Sequence, residues 1–97
     1  MINHVYLLLV NADWCYSDTI IDTEIFYTKE DAGEYMDIYK DTIINDIWED
    51  NSDYYEGNRE RFDNDIEVNK SDNHIYIYLE DVCYIDLDII KKDIMSM

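Results

Sequence analysis

Proline is absent, and glycine occurs only at Gly33 and Gly57. With so few chain breakers, no flexible linker divides the chain, and no internal repeat is visible. The 97 residues are therefore read as a single domain spanning 1–97. Long hydrophobic runs are missing too. The run from Val5 to Val10 is only six residues, far short of the roughly 18 that suggest a membrane span. No basic segment precedes it, so it does not read as a signal peptide, and an intracellular, cytoplasmic protein is expected. Cysteine is limited to Cys15 and Cys83. Two distant thiols with no CxxC spacing exclude a disulfide framework, and their apolar, strand-like contexts predict buried thiols.

Basic residues are also scarce. Seven Lys and Arg face 24 Asp and Glu, for a formal net charge of −17. A small domain needs a net charge of only about 2 to 8 to stay soluble, and the excess destabilises the compact state by self-repulsion. AT-rich coding would raise Lys together with Asp, so codon bias does not explain the imbalance. Such a surface repels nucleic acid and anionic membranes, which excludes both as direct partners, and attracts basic proteins or cations. The apolar share is 47%, with ten tyrosines and fifteen isoleucines. That is too rich for a disordered acidic tail, so the chain is expected to fold.

Val5 to Val10, extended by Trp14 and Tyr16, reads as a central strand covered on both faces. Asp18 marks a turn, and Thr19 to Tyr27 reads as a second strand in a hairpin with the first. Thr28 is a good N-cap, with Asp31 three residues on and Glu30 in the first turn. Ala32, Tyr35, Met36, Tyr39, Ile43 and Ile47 then recur at spacings of three and four, predicting an amphipathic helix to about Trp48. Gly33 in its second turn has no evident reason. Glu49 to Arg61 reads as an exposed loop and Phe62 to Asn69 as a strand. After a turn at Lys70–Asn73, His74 to Glu80 alternates as a strand, completing a second hairpin. Whether its isoleucines or its tyrosines face the helix stays open. From Val82 the pattern alternates like a strand, while Ile90 to Met95 also fits a short helix. The predicted fold is α+β: an antiparallel sheet of four to five strands with one long helix packed across it.

Two constellations stand out. Glu30, Glu34, Asp37 and Asp41 are spaced by four, three and four on the helix face opposite the apolar stripe. At ~1.5 Å per residue they cover about 16 Å, a charge density near but below that of one DNA strand. Asp46, Glu49, Asp50, Asp53 and Glu56 follow directly and would extend a negative ridge. Ordinary helix faces mix signs to gain i,i+4 pairs, and only Lys29 and Lys40 interrupt this one. The second is aromatic: Tyr54 and Tyr55 in the acidic loop, and Tyr76 and Tyr78 on one strand face. Tyrosine buries area at low entropic cost and keeps a polar tip, which suits an interface.

Metal and catalytic patterns are lacking. Asp50, Ser52 and Tyr54 do not complete an EF-hand loop, and Asp63, Asp65 and Glu67 alternate on a predicted strand without the glycine turn. His4, His74, Cys15 and Cys83 do not have zinc-pair spacing. There is no GxSxG, glycine-rich phosphate loop or HExxH, so neither an enzyme nor a cofactor is expected.

In size, charge and aromatic content the whole chain resembles the small phage-encoded inhibitors of bacterial defence, the anti-CRISPR proteins and other DNA mimics. The resemblance rests on no aligned residues, so no site residue is carried over from it. It implies a mechanism in which carboxylates occupy the Lys/Arg channel of a nucleic-acid-binding enzyme and exclude its substrate, in a host cytoplasm. The expected partner is thus a basic, nucleic-acid-binding protein. The expectation set beside it is a self-associating interaction module, a homodimer whose acidity serves solubility.

Overall fold

The computed structural model describes residues 4–14 and 20–93, with the side chain of Ile20 left aside. In chain order the elements are β1 (His4–Trp14), β2 (Ile20–Phe26), α1 (Lys29–Asn51), α2 (Arg59–Asp65), β3 (Glu67–Lys70), β4 (His74–Leu79) and β5 (Cys83–Asp93). The strands form one antiparallel sheet in the order β2-β1-β5-β4-β3. The α+β expectation of one long helix across an antiparallel sheet is met. Cys15, Tyr16, Asp18 and Thr19 lie outside the described residues.

Register decides which side chains meet the helix. Leu8 pairs with Ile89, Val10 with Leu87 and Ala12 with Ile85, while Ile75 and Ile77 lie opposite Leu87 and Ile85. Directly opposed residues share a face, so these apolar rows form one floor. Ala32, Met36, Ile43 and Ile47 of α1 close over it, and all these residues are buried. Each large aliphatic side chain so buried contributes roughly 1.5–3 kcal/mol. The helix begins where the sequence places it: Thr28 Oγ1 accepts a hydrogen bond from the Asp31 amide at 3.1 Å. Over the far edge, the Lys70 ammonium of β3 pairs with the Asp37 carboxylate. Both side chains are about half exposed, which limits the pair to about 1 kcal/mol.

Among the described residues, the expected cover on both faces of the first strand is not there. Leu8, Val10 and Ala12 are buried under α1, but Leu7 and Leu9 point to the other side and are only partly covered. β1 pairs on both edges, with β2 and β5, and on its outer face Leu7 lies between Ile25 and Ile90.

Three other expectations change. The helix continues to Asn51, so Glu49 and Asp50 are helical. The expected loop to Arg61 shrinks to a turn at 52–58, because Asn58 caps a second helix by accepting from the Arg61 amide at 3.1 Å. Phe62, expected to open a strand, lies in that helix fully buried against Trp48 and Tyr55. The strand itself is only Glu67–Lys70. At the end of the chain, β5 runs as strand to Asp93, so residues 90–93 are not helical. Lys91 and Lys92 lie opposite Tyr6 and Val5. Pairing along the full length of β1 settles a segment whose local pattern was ambiguous.

Candidate functional site

The outer face of α1 is a thinner ridge than its spacing suggested. Glu30, Glu34 and Asp41 are exposed there. Asp37, however, leans toward β3 and is taken by Lys70, and the Asp41 carboxylate lies 3.4 Å from the Lys40 ammonium. Asp46 leaves the line, being roughly 140° round the helix from Asp41 at 100° per residue. Other carboxylates face elsewhere: Asp63 pairs with Arg59 on α2, and Asp86 and Asp88 flank His74 on the opposite face of the sheet.

The dense concentration is instead at one end. From Asp41 to Asn58 the chain carries Asp41, Asp46, Glu49, Asp50, Asp53 and Glu56 without a single Lys or Arg. The last turn of α1 holds no basic residue, although the negative end of the helix dipole favours cations and disfavours the Glu49 and Asp50 carboxylates. The β4–β5 turn adds Glu80 and Asp81 across a cleft whose other wall includes Asn51 and Tyr54. At the far end, Lys29 and Lys91 line a smaller depression beside Tyr6, and Lys92 follows on the same strand. Charge is thus polarised along the helix: acids crowd its C-terminal end in excess of Arg59 and Arg61, which lie there too, and three of the five lysines lie near its N-terminal end.

The two loop tyrosines separate. Tyr54 is 69% exposed, while Tyr55 is 3% exposed and belongs to the core. This corrects the reading of Tyr55 as a contact residue. The chain reverses after it through Glu56 and Gly57, both at positive φ, and the Gly57 amide returns to the Ser52 carbonyl at 2.9 Å. That reversal drives the Tyr55 ring against Phe62 and Trp48. Its hydroxyl donates to Asp65 Oδ2 at 3.0 Å. Burial first, then that bond, pushes the Tyr55 phenol from 10.0 up to about 12. Both arginines of the chain stack on this cluster. Arg59 lies over Trp48 and Phe62, and Arg61 lies over Tyr54 and Tyr55, all at 5.3–5.5 Å from the ring centres.

The sheet face away from α1 carries a different surface. Ile77 and Ile75 take the helix side, which puts Tyr76, Tyr78 and Tyr84 together on the open side with ring centres 4.9–6.4 Å apart. Desolvation, then Tyr84, Glu67, Tyr78 and Asp86, push the Tyr76 phenol upward. Beyond the acids around His74, register puts Ile25 and Ile90 either side of Leu7 on this same face, with Ile21 opposite Asn11. Ile21 is 76% exposed and Ile25 62%.

Sequence reasoning singled out Glu49, Asp50, Asp53, Tyr54 and Glu56 but did not join Glu80 and Asp81 to them, and weighed Asp65 only as part of an acidic alternation on a strand. The clue available was an acidic pair at the turn between two alternating strands. Among the described residues, no group of three or more His, Cys, Asp or Glu is placed to hold a metal ion. Asp63 and Asp65, expected to alternate on a strand, are helical. Among the same residues, no helix is long and apolar enough to cross a membrane. No protein-family model, curated protein or solved structure matches this chain.

Proposed function

We propose that this chain is a noncatalytic acidic binding protein that occupies the basic, nucleic-acid-binding surface of a partner protein, as an inhibitor of a host defence nuclease or a similar enzyme would. The observation that carries the reading is the crowding of Asp46, Glu49, Asp50, Asp53 and Glu56 at the α1 C-terminus, a stretch of sequence with no Lys or Arg, in excess of the two arginines of α2 that stack on Trp48, Tyr54 and Tyr55 beside it. Local stability disfavours that arrangement, so a role outside the fold accounts for it better than solubility does. Glu30, Glu34 and Asp41 extend the negative surface along the helix, and exposed Tyr54 supplies contact area beside it. Long-range attraction would set the on-rate, and the aromatic contact the short-range affinity.

Capture from a cell lysate on the immobilised chain tests this. Nucleic-acid-binding proteins with basic surfaces should be retained at about 0.05 M salt, released by about 0.5 M, and displaced by added duplex DNA. Retention of acidic or neutral proteins only, indifferent to salt, would end the proposal.

A second reading, self-association, is favoured by the exposed isoleucines on the open sheet face. Solvent-exposed apolar patches of this kind often mark interfaces. Sedimentation separates the two: a salt-insensitive dimer that Ile21→Lys with Ile25→Lys dissolves belongs to the second.

A further inference from the structure

The cleft at the acidic end has a volume of about 440 Å³, within the range of small-ligand pockets, which run from ~300 to 1,000 Å³. Its walls combine three chemistries. Tyr54 offers aromatic surface with the core residue Tyr55 beside it, Val82 apolar surface over buried Leu79, and Asp65, Glu80 and Asp81 carboxylates, with no Lys or Arg in the lining. Asp65 gives one oxygen to the Tyr55 hydroxyl.

The same two rings already stack on one guanidinium, the chain's own. The guanidinium of Arg61, which is not part of the lining, already lies 5.5 Å from the Tyr54 ring centre and 5.3 Å from that of Tyr55. An aromatic face attracts a guanidinium through its quadrupole, and carboxylates bind the planar fork through paired hydrogen bonds. An ammonium is a compact, strongly hydrated charge and gains less from either.

We propose that this cleft receives one arginine side chain of a basic partner, its guanidinium held between Tyr54 and the carboxylates of Glu80 and Asp81. The proposal rests on the binding role argued above and adds to it a discrimination: arginine over lysine. Net charge alone attracts both equally.

Octa-arginine and octa-lysine peptides serve as probes, with affinities measured by calorimetry at about 0.15 M salt. The wild-type chain should bind octa-arginine about five-fold more tightly than octa-lysine, the scale of one partly desolvated cation–aromatic contact. Glu80→Gln with Asp81→Asn should bring the ratio near one. Asparagine tolerates the positive φ of 62° at Asp81. Tyr54→Leu, at an exposed position, should do the same and guards against a folding defect in the double variant. Glu30→Gln, Glu34→Gln and Asp41→Asn together should weaken both peptides and leave the ratio intact. Equal binding of the two peptides by wild type, or an undiminished ratio in both cleft variants, overturns the arginine site while salt-dependent binding leaves the general reading standing. Failure of either peptide to bind at low salt overturns both.

Discussion

Replacing Glu49 by Gln and Asp50 by Asn should make the protein more stable and a weaker binder. Both carboxylates lie in the last turns of α1, at the negative end of the helix dipole, with no basic residue in the last turn. Each such charge costs about 0.3–1 kcal/mol at low ionic strength. Asp50 also faces Asp46 at i,i+4, a like-charge pair worth about 0.2–0.5 kcal/mol. The Asn45 side-chain amide donates to Glu49 Oε1 at 3.3 Å, a bond that the Gln amide oxygen retains. The expected gain is therefore roughly 1–2 kcal/mol. For 97 residues the unfolding entropy is about 0.2 kcal/mol/K, so Tm should rise by about 5–10 °C. Circular dichroism melts at about 0.02 M and 0.5 M salt provide the assay, and the gain should shrink at the higher salt as the Debye length falls below 10 Å. Octa-lysine affinity, measured in parallel, should drop. A double variant that melts no higher than wild type at low salt would refute the reasoning, because those carboxylates would then be serving the fold.

An added Cβ at Gly33 would meet open space, with nothing within 4 Å. Gly33→Ala should therefore stabilise α1 by about 1 kcal/mol, read from urea melts. Phe62→Ala removes the buried anchor of α2 and should cost about 3–5 kcal/mol, with a change in Trp48 fluorescence. Arg59→Ala, which loses an exposed pair with Asp63 and its stacking, should cost only about 1 kcal/mol. Tyr55 links stability to alkaline pH. Its folded value of about 12 lies above the ordinary 10.0, so its contribution is complete below pH 10 and disappears as pH climbs toward 12. Urea melts across that window should fall more steeply for wild type than for Tyr55→Phe.

The elements that could be read from the sequence are those with long periodic patterns or a strong cap. Thr28 with Asp31 announced α1, and the alternation of Ile75, Ile77 and Leu79 announced β4. The second helix was hidden because a seven-residue element contributes a single buried side chain, Phe62, and so has no period to detect. Its one local signal was Asn58 followed by Glu60, an N-cap with an acid in the first turn. The Ile90–Asp93 stretch was ambiguous because its conformation is set by Val5 and Tyr6, more than eighty residues away. The acidic segment itself was visible in the sequence. Its meeting with Glu80 and Asp81 was not, since that depends on where the sheet returns the chain beside the helix terminus.

The separation of Lys29, Lys91 and Lys92 from the acids near Asn51 has a consequence for how the molecule travels. Unequal ends give it a permanent electric moment along its helix, and a moment feels torque before any surfaces touch. In the field of a cationic groove the protein would swing round with Asp50 and Asp53 leading. A larger fraction of diffusive encounters would then arrive in the right attitude than for a uniformly charged sphere of the same total charge.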